Sequence, residues 1–335
     1  MSDVDAVLHI GMQQSGARML QRALSRLRPQ LRAHGITYIG QERIGGLTHA
    51  AGWASDAAAD AGQAPAFARE LADAVTRERA EVVAAGGTPG TVLVSSDHLV
   101  GRENIGPGDG SGFRPQTVPA VAQVIEALGA ARIRIVLYVQ RQDRLLEYSY
   151  LREVQKGRHH DFATQFPYRL RPVVDYVELV ERVQALPQVT DVTVRPIELA
   201  AAGRAAFVDD FLSAVGLGGL FDLVAVVADL SVHRVYSRRG LRIALAMNPH
   251  LDDAQERAQV RDFLLEHFAA ADQRACRFMP TRVRQRILDC YRDRNELLFH
   301  RYLPDLPPDS YADDASTARL GTMLHEPSNG VLVRP

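Results

Sequence analysis

The stretch Val7-Leu-His-Ile-Gly-Met-Gln-Gln-Ser-Gly-Ala-Arg-Met-Leu-Gln21 predicts a short buried strand, a tight turn and the start of a helix. Gly11 and Gly16 enclose the turn with the Gly-x₄-Gly spacing of a phosphate-binding loop. Exposed backbone N–H groups and the positive end of a helix attract phosphate at such a turn. Ala17 and Arg18 replace the lysine and magnesium-binding hydroxyl of triphosphatases, which argues against triphosphate hydrolysis. A plain tight turn is the alternative explanation.

Apolar runs and helical patterns alternate along the chain, which predicts an α/β fold with a parallel sheet between two helical layers. Buried strands are predicted at Ala6–Ile10, Thr91–Ser95, Ile133–Gln140 and Asp191–Pro196. Helices are predicted at Met19–His34, Ala66–Ala85, Val118–Leu128, Arg144–Gln155, Val173–Leu186 and Arg204–Val215, with more between Val235 and Tyr302. Residues 1–303 are expected to form one domain. Residues 304–335, where Pro, Asp and Ser increase, are expected to form a tail that wraps the surface or frays.

The composition argues against several classes of partner. A net charge of −1 over 335 residues is unlike the basic excess of nucleic-acid-binding proteins. The sequence has neither a basic, apolar leader nor a run of about 18 apolar residues, so we expect a cytoplasmic protein that does not cross a membrane. Cys276 and Cys290 lack the spacing of a metal site, and no metal is predicted.

A second motif follows the strand predicted at Ile133–Gln140. Arg141 stands at the carboxyl end of this strand, and Ser149 follows about two turns into the next helix. The planar guanidinium of arginine and a serine hydroxyl together suit a phosphate monoester. A surface arginine followed by an ordinary helix serine is the alternative.

Taken in order, the two motifs resemble those of bacterial sulfotransferases, which use 3′-phosphoadenosine 5′-phosphosulfate. The matching residues are His9, Ile10, Gly11, Gly16, Arg141, Gln142, Asp143 and Tyr150. Weaker similarities extend over most of the chain, at Gly35–Tyr38, Val92–Leu99, Val194–Leu199, Phe207–Leu217 and Asp229–Ser231. The resemblance implies the sulfotransferase variant of the P-loop NTPase fold. It also implies sulfuryl transfer to a hydroxyl or amine of a small-molecule acceptor, without a metal.

The resemblance assigns a nucleotide-binding set. Its members are Gln13, Gln14, Ser15, Gly16, Ala17, Arg18, Arg141 and Ser149. An ungapped alignment would instead place Gln140 and Tyr148 at the second phosphate. We prefer Arg141 and Ser149 because a phosphate dianion needs a cation.

The resemblance also names candidate catalytic residues. Gln14 stands where the family has a lysine that meets charge on the departing phosphate, and losing one such donor costs about 3 kcal/mol. Arg18 is a candidate substitute for that cation. His49 is the first candidate for the group that accepts a proton from the acceptor molecule, and Asp97 is the second. Both are expected near the cleft at the carboxyl edge of the sheet. A polar residue at the cleft rim is the alternative for each.

The altered loop leaves two other functions open. One is a sulfotransferase-fold protein that has lost its chemistry and acts as a binding partner. The other is an enzyme that holds a different phosphorylated ligand in the same cradle. The acceptor pocket is expected to involve the glycine-rich loop Gly101–Pro115 and the segments after Ser231.

Overall fold

The computed structural model describes residues 5–10, 16–43, 63–96, 117–162, 175–230, 234–270 and 277–323. Within these residues, five parallel strands form one sheet in the order β2-β3-β1-β4-β5. The strands are β1 (Ala6–Ile10), β2 (Thr37–Ile39), β3 (Val92–Ser96), β4 (Ile133–Val139) and β5 (Val189–Pro196). The predicted α/β class and parallel sheet are therefore confirmed.

Twelve α-helices lie in the described part of the chain. They are α1 (Ala17–Arg26), α2 (Arg28–Ala33), α3 (Gln63–Ala84), α4 (Thr117–Leu128), α5 (Gln142–Gln155), α6 (Tyr176–Gln184), α7 (Arg204–Ala214), α8 (Leu223–Val227), α9 (Arg238–Met247), α10 (Ala254–His267), α11 (Thr281–Tyr302) and α12 (Asp314–Met323). The single helix predicted at Met19–His34 is two helices, α1 and α2, with Pro29 in the first turn of α2. Proline has no N–H to donate, so it suits the start of a helix rather than its interior. No helix in the described ranges has both the length and the apolar character needed to span a membrane.

Helices cover both faces of the sheet. On one face α1, α2, α7 and α8 form a core that includes Leu20, Leu24 and Phe211. On the other face α3, α4, α6 and α11 form a core that includes Leu71 and Phe299. A third core joins α5 to α9, α10 and α11 beside the sheet. β1, β3 and β4 are buried on both sides, which explains their largely apolar sequences, whereas β5 at the edge alternates between buried and partly exposed residues.

The connections that follow β1 and β4 diverge at the carboxyl edge of the sheet. After β1 the chain continues through α1 and α2, which lie on one face of the sheet. After β4 it continues through α5 and α6 to β5, and α6 lies on the other face. Neighbouring strands whose connections diverge in this way open a ligand-binding crevice at their carboxyl ends. The β1–α1 turn and Arg141 both stand at this edge.

The segment from Pro304 to Met323, predicted as part of a tail, packs onto the domain. Tyr311 and Leu320 are buried in the core that α11 shares. Helix α12 lies against the 3₁₀ turn Ile197–Ala202, and a Cβ at Gly321 would lie 2.4 Å from the Ala201 Cβ. This close fit places the last turn of α12 against the turn that follows β5.

Candidate functional site

The helix that follows β1 begins at a left-handed glycine. Gly16 has φ 72° and precedes α1, and no described side chain caps the helix. A Cβ at this position would lie 3.0 Å from Phe207 Cε1 and 3.1 Å from Ile197 Cδ1, so both the backbone angle and the space favour glycine. The first turn of α1 contains no acidic residue. Its N–H groups can therefore serve an anion.

Only part of the predicted phosphate loop can be located. Gly16, Ala17 and Arg18 are described, with Ala17 buried and Arg18 exposed. Five predicted site residues lie outside the described residues: Gln13, Gln14, Ser15, His49 and Asp97.

Arg141 lies at the carboxyl edge, as predicted, but its side chain is held by other protein groups. The guanidinium is completely buried and donates two hydrogen bonds to Asp143, of 2.6 and 2.9 Å. It also donates to Thr317 Oγ1 at 2.8 Å and to Asp314 Oδ1 at 2.5 Å. Burial alone would lower the pKa of Arg141, but Asp143 and Asp314 raise it above the ordinary value. The arginine is a permanent cation whose donors are engaged.

Ser149 lies well along α5 from Arg141. It is buried on α5, about 12 Å along the helix axis from Arg141. Gln140, the alternative phosphate residue, has a buried Oε1 that finds no partner among the described residues. Its backbone N–H donates to the Tyr176 hydroxyl at 3.2 Å, and that hydroxyl donates to the Gln140 carbonyl at 2.6 Å.

Arg141 belongs to a larger network of ion pairs, which we call the Arg141 cluster. Its members are Arg141, Arg144, Arg277, Arg284, Asp143, Glu147 and Asp314. Arg284 on α11 contacts Asp143 at 2.5 Å and Glu147 at 2.8 Å. Burial raises the pKa of Glu147, an effect that the charge of Arg284 opposes. The cluster joins the end of β4 to α5, α11 and α12.

Glu198 contacts the same edge from the end of β5. Its carboxylate accepts the Arg141 backbone N–H at 3.0 Å and the Tyr311 hydroxyl at 2.7 Å. Burial raises its pKa. Sequence reasoning missed Glu198, Asp314 and Thr317, because each meets Arg141 only through the fold.

A neutral histidine lies inside the sheet, just before the β1–α1 turn. His9 is fully buried, and its Nδ1 is 2.8 Å from Ser95 Oγ on β3. Its ring lies edge-on to Phe211, while its Nε2 has no partner among the described residues. Burial lowers the pKa of His9 to about 3. The imidazole therefore stays neutral at neutral pH and links β1 to β3 through Ser95.

Comparison with known proteins gives no family assignment. No family model, no curated protein and no solved structure matches this chain. The described residues contain no group of three or more His, Cys, Asp or Glu side chains placed to hold a metal ion. The similarity to sulfotransferases therefore depends on the motifs at Gly11–Gly16 and Arg141–Tyr150.

Proposed function

We propose that this chain binds a 3′-phosphorylated adenine nucleotide at the carboxyl edge of the sheet and transfers its sulfuryl group to a small-molecule hydroxyl or amine. The observation that carries the proposal is the left-handed Gly16 at the uncapped start of α1, next to the strand that leads to Arg141. The start of α1 and Arg141 stand at one edge of the sheet, the edge at which α/β sheets bind ligands, and this placement supports the proposal.

Each end of the nucleotide has its own partners in this proposal. The phosphosulfate end lies against the N–H groups of the Gly11–Gly16 turn and the first turn of α1. The 3′-phosphate lies at Arg141, in the Arg141 cluster. The bound phosphosulfate brings an already activated sulfuryl group. Gln14 donates a hydrogen bond to the departing phosphate, and His49 or Asp97 accepts the proton of the acceptor.

Isothermal titration calorimetry with two nucleotides tests the binding. 3′-Phosphoadenosine 5′-phosphate carries both phosphates, whereas adenosine 5′-monophosphate lacks the 3′-phosphate and serves as the matched control. We expect the first to bind at least about tenfold more tightly, which corresponds to about 1.4 kcal/mol. Equal affinities, or no heat at millimolar ligand, would contradict the proposal.

A nucleotide-binding protein without transferase activity is the second candidate. The glutamine at position 14, where the family has a lysine, favours it. Gln14→Lys should raise the rate of sulfuryl transfer by about 10²–10³ in a weak enzyme, because it restores a cation at the departing phosphate. Gln13→Lys is the control for added charge. If Gln14→Lys gives no turnover with phenol, alcohol or amine acceptors, the binding function is favoured.

A further inference from the structure

One carboxylate in the Arg141 cluster is shared by three arginines. Asp314, the first residue of α12, accepts from Arg141 at 2.5 Å and from Arg144 at 3.1 Å through Oδ1. Its Oδ2 accepts from Arg277 at 2.5 Å. The three guanidinium groups come from the end of β4, from α5 and from the residues that precede α11. They converge on one small anionic group, as arginines do around a bound phosphate or sulfate.

The exposure of these side chains decreases from the carboxylate to the arginine farthest inside. The Asp314 side chain is 48% exposed, whereas the side chains of Arg277, Arg144 and Arg141 are 31%, 17% and 0% exposed. The carboxylate therefore lies on the solvent side of the arginines. A rotation of the Asp314 side chain would move its carboxylate toward solvent, while Asp143 continues to hold Arg141 with two hydrogen bonds.

The charges favour a ligand with more than one negative charge. The Arg141 cluster contains four arginines and three carboxylates, a formal charge of +1 that becomes +2 when Asp314 leaves. Glu198 contacts Arg141 only at the backbone N–H, so it is not a partner of the guanidinium groups counted here. A phosphate dianion in place of Asp314 would balance the +2 charge, which a single aspartate does not do.

We propose that Arg141, Arg144 and Arg277 form an anion site that Asp314 fills in the unliganded protein, and that a phosphate or sulfate monoester exchanges with Asp314. Binding there competes with the contacts that hold the start of α12, so ligand affinity and helix docking are coupled. For the 3′-phosphate of a nucleotide, the inference rests on the proposed function. For inorganic phosphate, it depends only on the cluster.

Asp314→Asn tests the exchange because it removes the competing charge and keeps the shape of the side chain. Inorganic phosphate is titrated by calorimetry into the full chain at low ionic strength. We expect Asp314→Asn to bind at least about tenfold more tightly than the wild type. Asp309→Asn, which removes a carboxylate paired with Arg319 at 3.5 Å outside the cluster, should leave the affinity unchanged. No gain in Asp314→Asn, or an equal gain in Asp309→Asn, would overturn the proposal.

A second measurement, of thermal unfolding, keeps Asp314 and thus does not depend on whether Asp314→Asn folds. Phosphate should raise the thermal unfolding temperature of the wild type above that in sodium acetate of equal ionic strength. Arg277→Gln should reduce this increase, and the part that remains belongs to the start of α1 and to the general effect of phosphate on folded proteins. Arg292→Gln, on the exposed side of α11, should keep it. An unchanged increase in Arg277→Gln, or no increase in the wild type, would count against the site.

The nucleotide titrations separate this inference from the proposed function. If Asp314→Asn gains phosphate affinity but does not distinguish the two adenine nucleotides, the anion site stands and the nucleotide function fails. If the wild type prefers the 3′-phosphorylated nucleotide but Asp314→Asn shows no gain, the function stands and Asp314 has only a structural role.

Discussion

Arg284 supports the cluster from α11, and replacing it with methionine should destabilise the protein strongly. The arginine pairs with two buried carboxylates, Asp143 and Glu147, whose side chains are 0% and 5% exposed. Methionine keeps the apolar stem and removes the charge. Breaking a buried ion pair in this way costs about 3–5 kcal/mol, because a charge is left in a poorly solvated place.

The structure places the expected loss at the lower end of that range. Asp143 keeps its two bonds to Arg141, and Glu147 keeps the backbone N–H groups of Phe278 and Met279 at 3.1 and 2.8 Å. We therefore expect a loss of about 3 kcal/mol in the free energy of unfolding. Glu147→Gln in the same chain should recover about 1–2 kcal/mol, because it removes the carboxylate left unpaired.

Urea unfolding followed by circular dichroism measures these changes, provided that the m value stays constant. Arg292→Met is the matched control, since it removes an exposed i,i+3 pair on the same helix and should change stability by less than about 0.5 kcal/mol. The Arg284→Met penalty should be smaller at pH 5 than at pH 8. Arg284 opposes the effect of burial on the pKa of Glu147, so its removal raises that pKa further in the folded variant. A carboxyl whose folded pKa is raised above the unfolded value loses stability as pH rises through that interval. A loss below about 1 kcal/mol at pH 8, or no recovery with Glu147→Gln, would refute this reasoning.

Two further perturbations test the elements around the β1–α1 turn. In urea unfolding, Gly16→Ala should cost at least about 1 kcal/mol more than Gly86→Ala. Both glycines have positive φ, but no described atom lies within 4 Å of a Cβ at Gly86, whereas a Cβ at Gly16 would contact Phe207. Equal costs would show that the Phe207 side chain moves aside without a measurable cost. His9 should keep a neutral imidazole at pH 5 by NMR, since burial lowers its pKa to about 3. Stability should fall as pH drops from 6.5 toward 3, because the unfolded imidazole binds the proton first, and His9→Gln should fall less steeply. An imidazole that titrates near pH 6.5 would contradict this.

Four of the five strands in the described residues could be predicted because they contain apolar runs, whereas the three-residue β2 is too short to give such a signal. Runs such as Ile133–Val139 carry that signal within a few residues, and the order of strands and helices then dictates parallel pairing. The sequence also predicted a turn that ends at Gly16 before the first helix, and Gly16 does precede α1, in a left-handed conformation. The division of the predicted first helix came from a single proline, whose effect the periodicity of Met19–His34 concealed.

The partners of Arg141 could not be predicted, because they depend on contacts between distant parts of the chain. Asp314 and Thr317 stand in a segment whose composition resembles a tail, and only the packing of Tyr311 and Leu320 brings them to the sheet. The local motif placed Arg141 at the carboxyl edge, but the pairing of its guanidinium is a tertiary property. The same holds for Glu198, which reaches the Arg141 backbone from a neighbouring strand.

A crystal structure with bound 3′-phosphoadenosine 5′-phosphate tests the nucleotide site most directly. The proposed function predicts the 5′-phosphate at the backbone amides of the Gly11–Gly16 turn. It predicts the 3′-phosphate at Arg141, and the further inference adds Arg144 and Arg277, with the Asp314 carboxylate displaced. A nucleotide bound away from the crevice between β1 and β4, or a crystal that takes up none at millimolar concentration, would contradict the account.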